Sequence, residues 1–267
     1  MRRLSIYSIL ALLLFFTAAF LDNIRGALMP VFCQMFGLSY GDVSNMFSFG
    51  YIASILAYII SSYGLLHLGS RRFISLVLIF AFCPLVFSPF ISGLYTVIAF
   101  GMIVAIISGI FIFAANIFSV KGVDEKYRSR MLTTTHAMYG LGSFLAPFLL
   151  SNILGRFPWW NTLFFAVFML IASLLMAQKL DNAAGETRKT SVTERSSPVF
   201  VIVTISAMII YNMGEVLTFQ WLSPYLVSAK QVTPSAAASI VSYFFLVMTG
   251  SRIVFSLLFR RGWENFT

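Results

Sequence analysis

The chain has 267 residues, of which 59% are hydrophobic and only 10% charged, with 29 Phe and a mean hydropathy of +0.90. A soluble domain carries about 25% charged residues, so a water-covered globule is excluded and the chain reads as an integral membrane protein. The net charge of +9 is explained below by loop placement, so it asks for no nucleic-acid partner.

The first predicted element is a helix over 5–36, entered through Met1-Arg2-Arg3. Its apolar run continues well past the 7–15 residues of a signal peptide, so it reads as the first span. A second helix follows at 43–66. Between Arg72 and Lys121 no residue is charged, and only the Ser88-Pro89 to Ser92-Gly93 region breaks the apolar run, which predicts two spans at 73–92 and 95–119. Two more follow at 131–155 and 160–178, the latter opening on Trp159 and Trp160, read as interfacial anchors. Residues 179–197 have soluble composition and read as a cytoplasmic linker; helices at 198–226 and 235–259 complete the set. Each segment reaches the roughly 17–25 residues that cross a bilayer core, and the alternating strands of a membrane barrel are not visible. The expected fold class is therefore all-α, a polytopic membrane helix bundle. It divides into a six-helix N-terminal bundle (1–178), the linker (179–197) and a partial C-terminal bundle of two helices and a short tail (198–267).

Lys and Arg concentrate in cytoplasmic loops. Fourteen of the eighteen fall in segments that share one side: Arg2, Arg3, Arg71, Arg72, Lys121, Lys126, Arg128, Arg130, Lys179, Arg188, Lys189, Arg195, Arg260 and Arg261. Arg156 and Lys230 lie on the other side, and Arg25 and Arg252 fall inside spans. Both termini are thus expected to be cytoplasmic, in a multi-pass protein of the cell membrane. Cys33 and Cys83 have no metal-ligand spacing, so neither metal nor cofactor is expected.

Asp22, Pro30 and Ser39 in and after the first helix are matched by Glu215, Pro224 and Thr233 at offsets of 193, 194 and 194. Helices seven and eight thus read as a parallel repeat of helices one and two. With Phe20-Leu-Asp-Asn-Ile-Arg-Gly-Ala-Leu-Met-Pro30, Phe49-Gly-Tyr51, Val123-Asp-Glu-Lys-Tyr-Arg-Ser-Arg130 and Gly140-Leu-Gly-Ser-Phe-Leu-Ala-Pro147, the sequence resembles the major facilitator superfamily over nearly its whole length. That resemblance implies two six-helix halves and alternating access about a midplane site. The family's loop 2–3 signature is altered: Ser62, Leu66 and His67 replace its first Gly, Asp and Arg, while Gly69, Arg71 and Arg72 remain as the conformational-gate loop. Helix four lacks the intramembrane Arg of proton-coupled drug exporters. Helix five keeps Gly142 and Pro147 but not the complete antiporter signature, so the resemblance leans toward a uniporter or symporter of the sugar and fucose permease kind.

Ionisable residues within spans are costly and point to function. Asp22 and Arg25 share a helix face. They read either as a self-neutralising pair or as a proton acceptor with a substrate or carboxylate ligand. Asn212 and Glu215 share a face of helix seven, with Gln220 and Trp221 further on, Trp221 being a candidate for stacking on a sugar ring. Arg252 of helix eight is the natural partner for Glu215, since a buried charge needs one. Helix five places Thr133, His136, Gly140, Ser143 and Pro147 on one stripe, flanked by Tyr139; it either faces substrate or packs against a neighbouring helix. Asn116 gives helix four a polar face where fucose-permease relatives carry an acid.

The leading expectation is a secondary transporter with a small-molecule substrate and the lipid bilayer as partners, taking up a sugar-like molecule with proton coupling through Asp22 or Glu215. The alternatives are a truncated, non-transporting membrane protein, since the chain stops after the eighth predicted helix, one that assembles with a partner chain to complete the bundle, or a drug/proton antiporter. His67 and His136 have no acidic neighbour in sequence, which argues against an enzyme.

Overall fold

Ser5 opens the first helix by accepting the backbone N–H of Ser8 on its hydroxyl at 3.2 Å, which satisfies one of the free donors of a helix N-terminus. A computed structural model describes residues 5–181 and 197–259; residues 182–196, most of the expected linker, and both chain ends lie outside the described residues. All regular structure described is helical: α1 (Ile6–Phe36), α2 (Tyr40–His67), α3 (Gly69–Phe80), α4 (Cys83–Phe87), α5 (Leu94–Lys121), α6 (Arg128–Ile153), α7 (Phe164–Ala177), α8 (Pro198–Lys230) and α9 (Pro234–Phe259). The polytopic helix bundle expected from composition is the fold observed.

Successive spans alternate in direction, so the molecule has a Gly37 end, where α1 stops, and a Gly122 end, where α5 stops. The third span is broken rather than continuous over 73–92. Pro84 has no N–H to bond back into the preceding turn, so α3 ends at Phe80, α4 follows, and a 3-10 turn over Ser88–Phe90 completes the crossing. Trp159 is only 3% exposed, its ring edge-on to Phe32 at 5.1 Å and Phe100 at 5.7 Å. It is therefore a core residue and not an interfacial anchor, because the 3-10 turn Trp159–Leu163 folds it across the end of the bundle.

Among the described residues, seven segments are long and apolar enough to cross a membrane. The eighth expected span is α6, long enough at 26 residues but polar at its start through Arg128, Arg130, Thr133, Thr134, Thr135 and His136. It packs along α1 and α9, with Thr135 buried and Arg130, Thr133, Thr134 and His136 left exposed.

Helix α1 is the centre of the bundle, with Leu10, Leu14, Leu21, Ile24, Leu28 and Met29 fully buried. Close packing comes from small residues. A Cβ on Gly142 of α6 would run into the carbonyl oxygen of Phe16, and one on Gly140 into Thr249 of α9, so these glycines let helices approach closely.

The α8–α9 junction repeats the α1–α2 junction. Helix α1 ends at Gly37 with φ +64°, and α8 ends at Gln231 with φ +55°, 194 positions later. Ser39 caps α2 by accepting the Asp42 N–H at 3.1 Å, and Thr233 caps α9 by accepting the Ala236 N–H at 3.3 Å, again 194 apart. Helices α8 and α9 meet the rest of the bundle toward the Gly37 end: Ser235 donates to the Ser151 carbonyl at 2.6 Å, and the buried residues of α8 are Phe219, Gln220, Ser223 and Pro224. Residues 198–214 are exposed throughout.

Candidate functional site

The middle of α1 carries the sequence Asp22-Asn23-Ile24-Arg25-Gly26, and helical spacing puts Asp22 and Arg25 on one side. The structure makes them an ion pair between Arg25 Nη2 and Asp22 Oδ1. The Arg25 side chain is 4% exposed and that of Asp22 19%, so the carboxylate is the more accessible partner.

The guanidinium is held from several sides. Its Nε donates to the Asp22 carbonyl at 3.3 Å and Nη1 to the Gly101 carbonyl of α5 at 3.3 Å, while the group lies 5.4 Å from the centroid of the Phe47 ring in α2. Asp22 Oδ2 accepts from the Tyr139 hydroxyl of α6 at 3.3 Å. Asn23, 1% exposed, donates to the Ala19 carbonyl and to Ser143 Oγ, both at 2.9 Å. Ser143 in turn donates to the Tyr139 carbonyl at 2.9 Å. Helices α1, α2, α5 and α6 thus converge on this ion pair. A buried ion pair is supported when its remaining donors are satisfied, and here Arg25 spends its donors on protein.

Helix α8 joins this cluster through Gln220, 5% exposed, whose amide donates to the Tyr51 hydroxyl of α2. Gly26 makes room for it: a Cβ there would lie 2.7 Å from the Phe219 carbonyl oxygen and 3.4 Å from Gln220 Cα.

Other residues singled out from the sequence fall around or away from this cluster. His136 is exposed, its ring edge-on to Phe15 at 5.1 Å, and Tyr139 meets the same Phe15 at 5.7 Å. Asn212 is exposed and donates to the Met208 carbonyl of its own helix at 2.7 Å, and Glu215 is half-buried one turn beyond. Trp221 is 41% exposed. Because neighbouring helical residues point about 100° apart, it diverges from the buried Gln220. Asn116 bonds back to the Ile112 carbonyl at 3.0 Å. Arg25 beside Gly101 and Ser108 beside Ala18 fix the register of α5 on α1, which leaves Asn116 roughly 18 Å along the axis from the level of Asp22 at the helical rise. The side chain of Arg252 lies outside the described residues, so its pairing with Glu215 does too.

The loop of Gly69, Arg71 and Arg72, expected from the sequence to act as a conformational gate, lies at the Gly122 end. Gly69 is buried with φ +76°, a conformation that glycine adopts freely. Arg71 donates to Gln178 Oε1 at 3.2 Å, and Gln178 donates to Ser75 at 3.0 Å, linking α3 to the end of α7; Arg72 is exposed. Nearby, Ser5 and Ser8 both donate to the Gly122 carbonyl, at 2.7 and 3.1 Å.

Sequence reasoning did not single out Asn23, Tyr51 or the Gly101 carbonyl. The only signal was position: Asn23 sits between the two intramembrane charges, and Tyr51 closes Phe49-Gly-Tyr51.

The sequence matches the Major Facilitator Superfamily over residues 10–267. It is similar to Bypass of stop codon protein 6 of Saccharomyces cerevisiae, 22% identical over 296 residues that cover 96% of this chain and 58% of the relative. Among solved structures it is similar to a bacterial homolog of the human lysosomal transporter Spinster in an inward-facing, unoccupied conformation, with TM-score 0.65 and 17% identity over 98% of this chain and 63% of that one. The occupied inward-facing conformation of such a homolog matches with TM-score 0.64 and 18% identity over 97% and 62%. The chain therefore spans about three-fifths of the length of the relatives it matches.

Proposed function

The chain belongs to the major facilitator superfamily, and from that premise we propose that it moves a small solute across a membrane by alternating access, with Asp22 as the group that links protonation to the cycle. The observation that carries this reading is the Asp22 carboxylate, seated within a span, anchored on one oxygen by Arg25 and on the other by Tyr139. An ionisable residue at that depth has a default role in ion or substrate passage. Here Arg25 holds and partly neutralises Asp22 and does not meet the cargo, because its donors already face the Asp22 and Gly101 carbonyls and the Asp22 carboxylate.

Residues 1–178 form the first bundle in this reading and 198–267 contribute to the second, with 179–197 as the linker. The Lys- and Arg-rich Gly122 end is cytoplasmic, both termini included, in the cell membrane. The cargo is a sugar-like molecule, in keeping with the fucose-permease resemblance and with the neutral polar groups of Tyr51, Tyr139 and Gln220 beside Asp22. Glu215, Asn212 and His136 lie further along the same path.

The test is uptake of labelled monosaccharides into vesicles holding the purified chain, with and without an inward proton gradient. Gradient-stimulated uptake is expected. Asp22→Asn is expected to lose that stimulation while keeping exchange of labelled for unlabelled sugar. Uptake that ignores the gradient, or an Asp22→Asn variant that responds to it as before, overturns proton coupling through Asp22.

A further inference from the structure

The contact that brings α8 against the first bundle is built from few atoms. Gly26 lies one residue past Arg25, and its missing side chain admits the Phe219 carbonyl and the backbone of Gln220 against α1. The Gln220 amide then reaches across to the Tyr51 hydroxyl of α2. Phe219, Ser223 and Pro224 are buried on either side of it, yet from 198 to 214 the same helix is exposed. Gln220 is thus a polar group buried among apolar neighbours whose bond runs between bundles, while the hydrogen bonds around Asp22 stay within the first bundle.

We propose that the Tyr51–Gln220 hydrogen bond, seated on Gly26, is the latch that holds the Gly37 end of the molecule closed, and that it must break for that end to open. This rests on the alternating-access reading and adds to it a defined gate. A buried amide left without its partner is costly, so the bond favours the closed state. A single bond of this kind can also be broken thermally, as a gate in a reversible cycle requires. The latch adjoins the proton site directly: Arg25 precedes Gly26 in α1 and lies against Phe47 of α2, one turn before Tyr51. Among the described residues, Asp22 contacts Arg25 on α1 and the Tyr139 hydroxyl on α6, and its charge also reaches Tyr51 and Tyr58 on α2, while that of Glu215 on α8 reaches Tyr139. Loss of the Asp22 charge would release Arg25 from its anchor beside Gly26 and Phe47, and so loosen the seat of the latch.

The experiment uses the full chain in lipid vesicles, with Cys33→Ser and Cys83→Ser as background and spin labels on Met35→Cys at the end of α1 and Ala229→Cys at the end of α8. Pulsed dipolar spectroscopy reads the distance between the labels without any substrate. A short-distance population is expected for the parent. Tyr51→Phe, which removes one hydroxyl, is expected to raise the ratio of long to short distances by roughly threefold to tenfold, the range for one hydrogen bond. Gln220→Leu should do the same, and the pair together no more than either alone. An unchanged distribution in Tyr51→Phe, or additive effects in the double variant, overturns the latch. If Gln220→Leu does not fold, Tyr51→Phe carries the test by itself. A distance shift in a chain that moves no sugar keeps the latch and removes the transport reading, whereas sugar uptake with no distance shift removes the latch alone.

Discussion

Arg25 is a guanidinium with 3% of its surface exposed, in the most enclosed helix of the bundle. Such a charge survives there because Asp22, the Gly101 carbonyl and the Phe47 ring surround it. Arg25→Met should therefore destabilise the protein by about 3–5 kcal/mol, the cost of leaving one member of a buried pair without the other. Asp22→Asn in the same chain should restore part of that loss, since it removes the stranded charge. Thermal unfolding of the purified variants in detergent checks both, and a double variant no more stable than Arg25→Met contradicts the pairing. The two charges were legible in the sequence because ionisable groups in apolar runs are rare. Asn23 and Tyr51 were not, since a neutral polar residue in a span looks the same whether it bonds its own helix or another. What distinguishes them is tertiary: Asn23 reaches Ser143 of α6, and Tyr51 reaches Gln220 of α8. Trp221, whose type suggested stacking, is 41% exposed beside the buried Gln220.

At the scale of the element, glycines decide which helices can touch. Gly142 has the carbonyl oxygen of Phe16 where its side chain would be, while Gly214 of α8 has open space. Gly142→Ala should cost about 1–3 kcal/mol by overpacking, and Gly214→Ala should leave stability unchanged or slightly raised; paired unfolding curves read the contrast. The repeated junctions give a second test. Gln231 holds a left-handed φ of +55° where Gly37 holds +64° in the first copy. Because side chains other than glycine pay about 1–2 kcal/mol in that conformation, Gln231→Gly should raise the unfolding midpoint and Gly37→Ala lower it. If both changes act in the same direction, the two junctions are not equivalent. The repeat was visible as three matched residues, and the cap geometry adds Gly37 with Gln231, a pair too different in type to be seen by sequence. Helix boundaries were legible to within a few residues, but not the break at Pro84, because apolar composition runs straight through it.

At the scale of the molecule, a bundle in which α8 is buried toward the Gly37 end and exposed toward the Gly122 end has a direction only once its sides are assigned. Lys121, Lys126, Arg128 and Arg130 cluster by the end of α5 and the start of α6, with Arg71 and Arg72 beside them in the chain topology, while Arg156 and Lys230 are the basic residues of the opposite end. Basic residues are retained on the cytoplasmic side during insertion, so the proposed orientation puts the Gly122 end inside and the Tyr51–Gln220 contact toward the outside. In a Cys33→Ser, Cys83→Ser background, a membrane-impermeant maleimide added to intact cells should label Arg156→Cys and reach Lys126→Cys only after permeabilisation. Both positions are exposed, so access and not burial sets the outcome. The opposite labelling pattern would turn the molecule over and put the Gly122 end outside. The latch proposed between α2 and α8 would then close the cytoplasmic side.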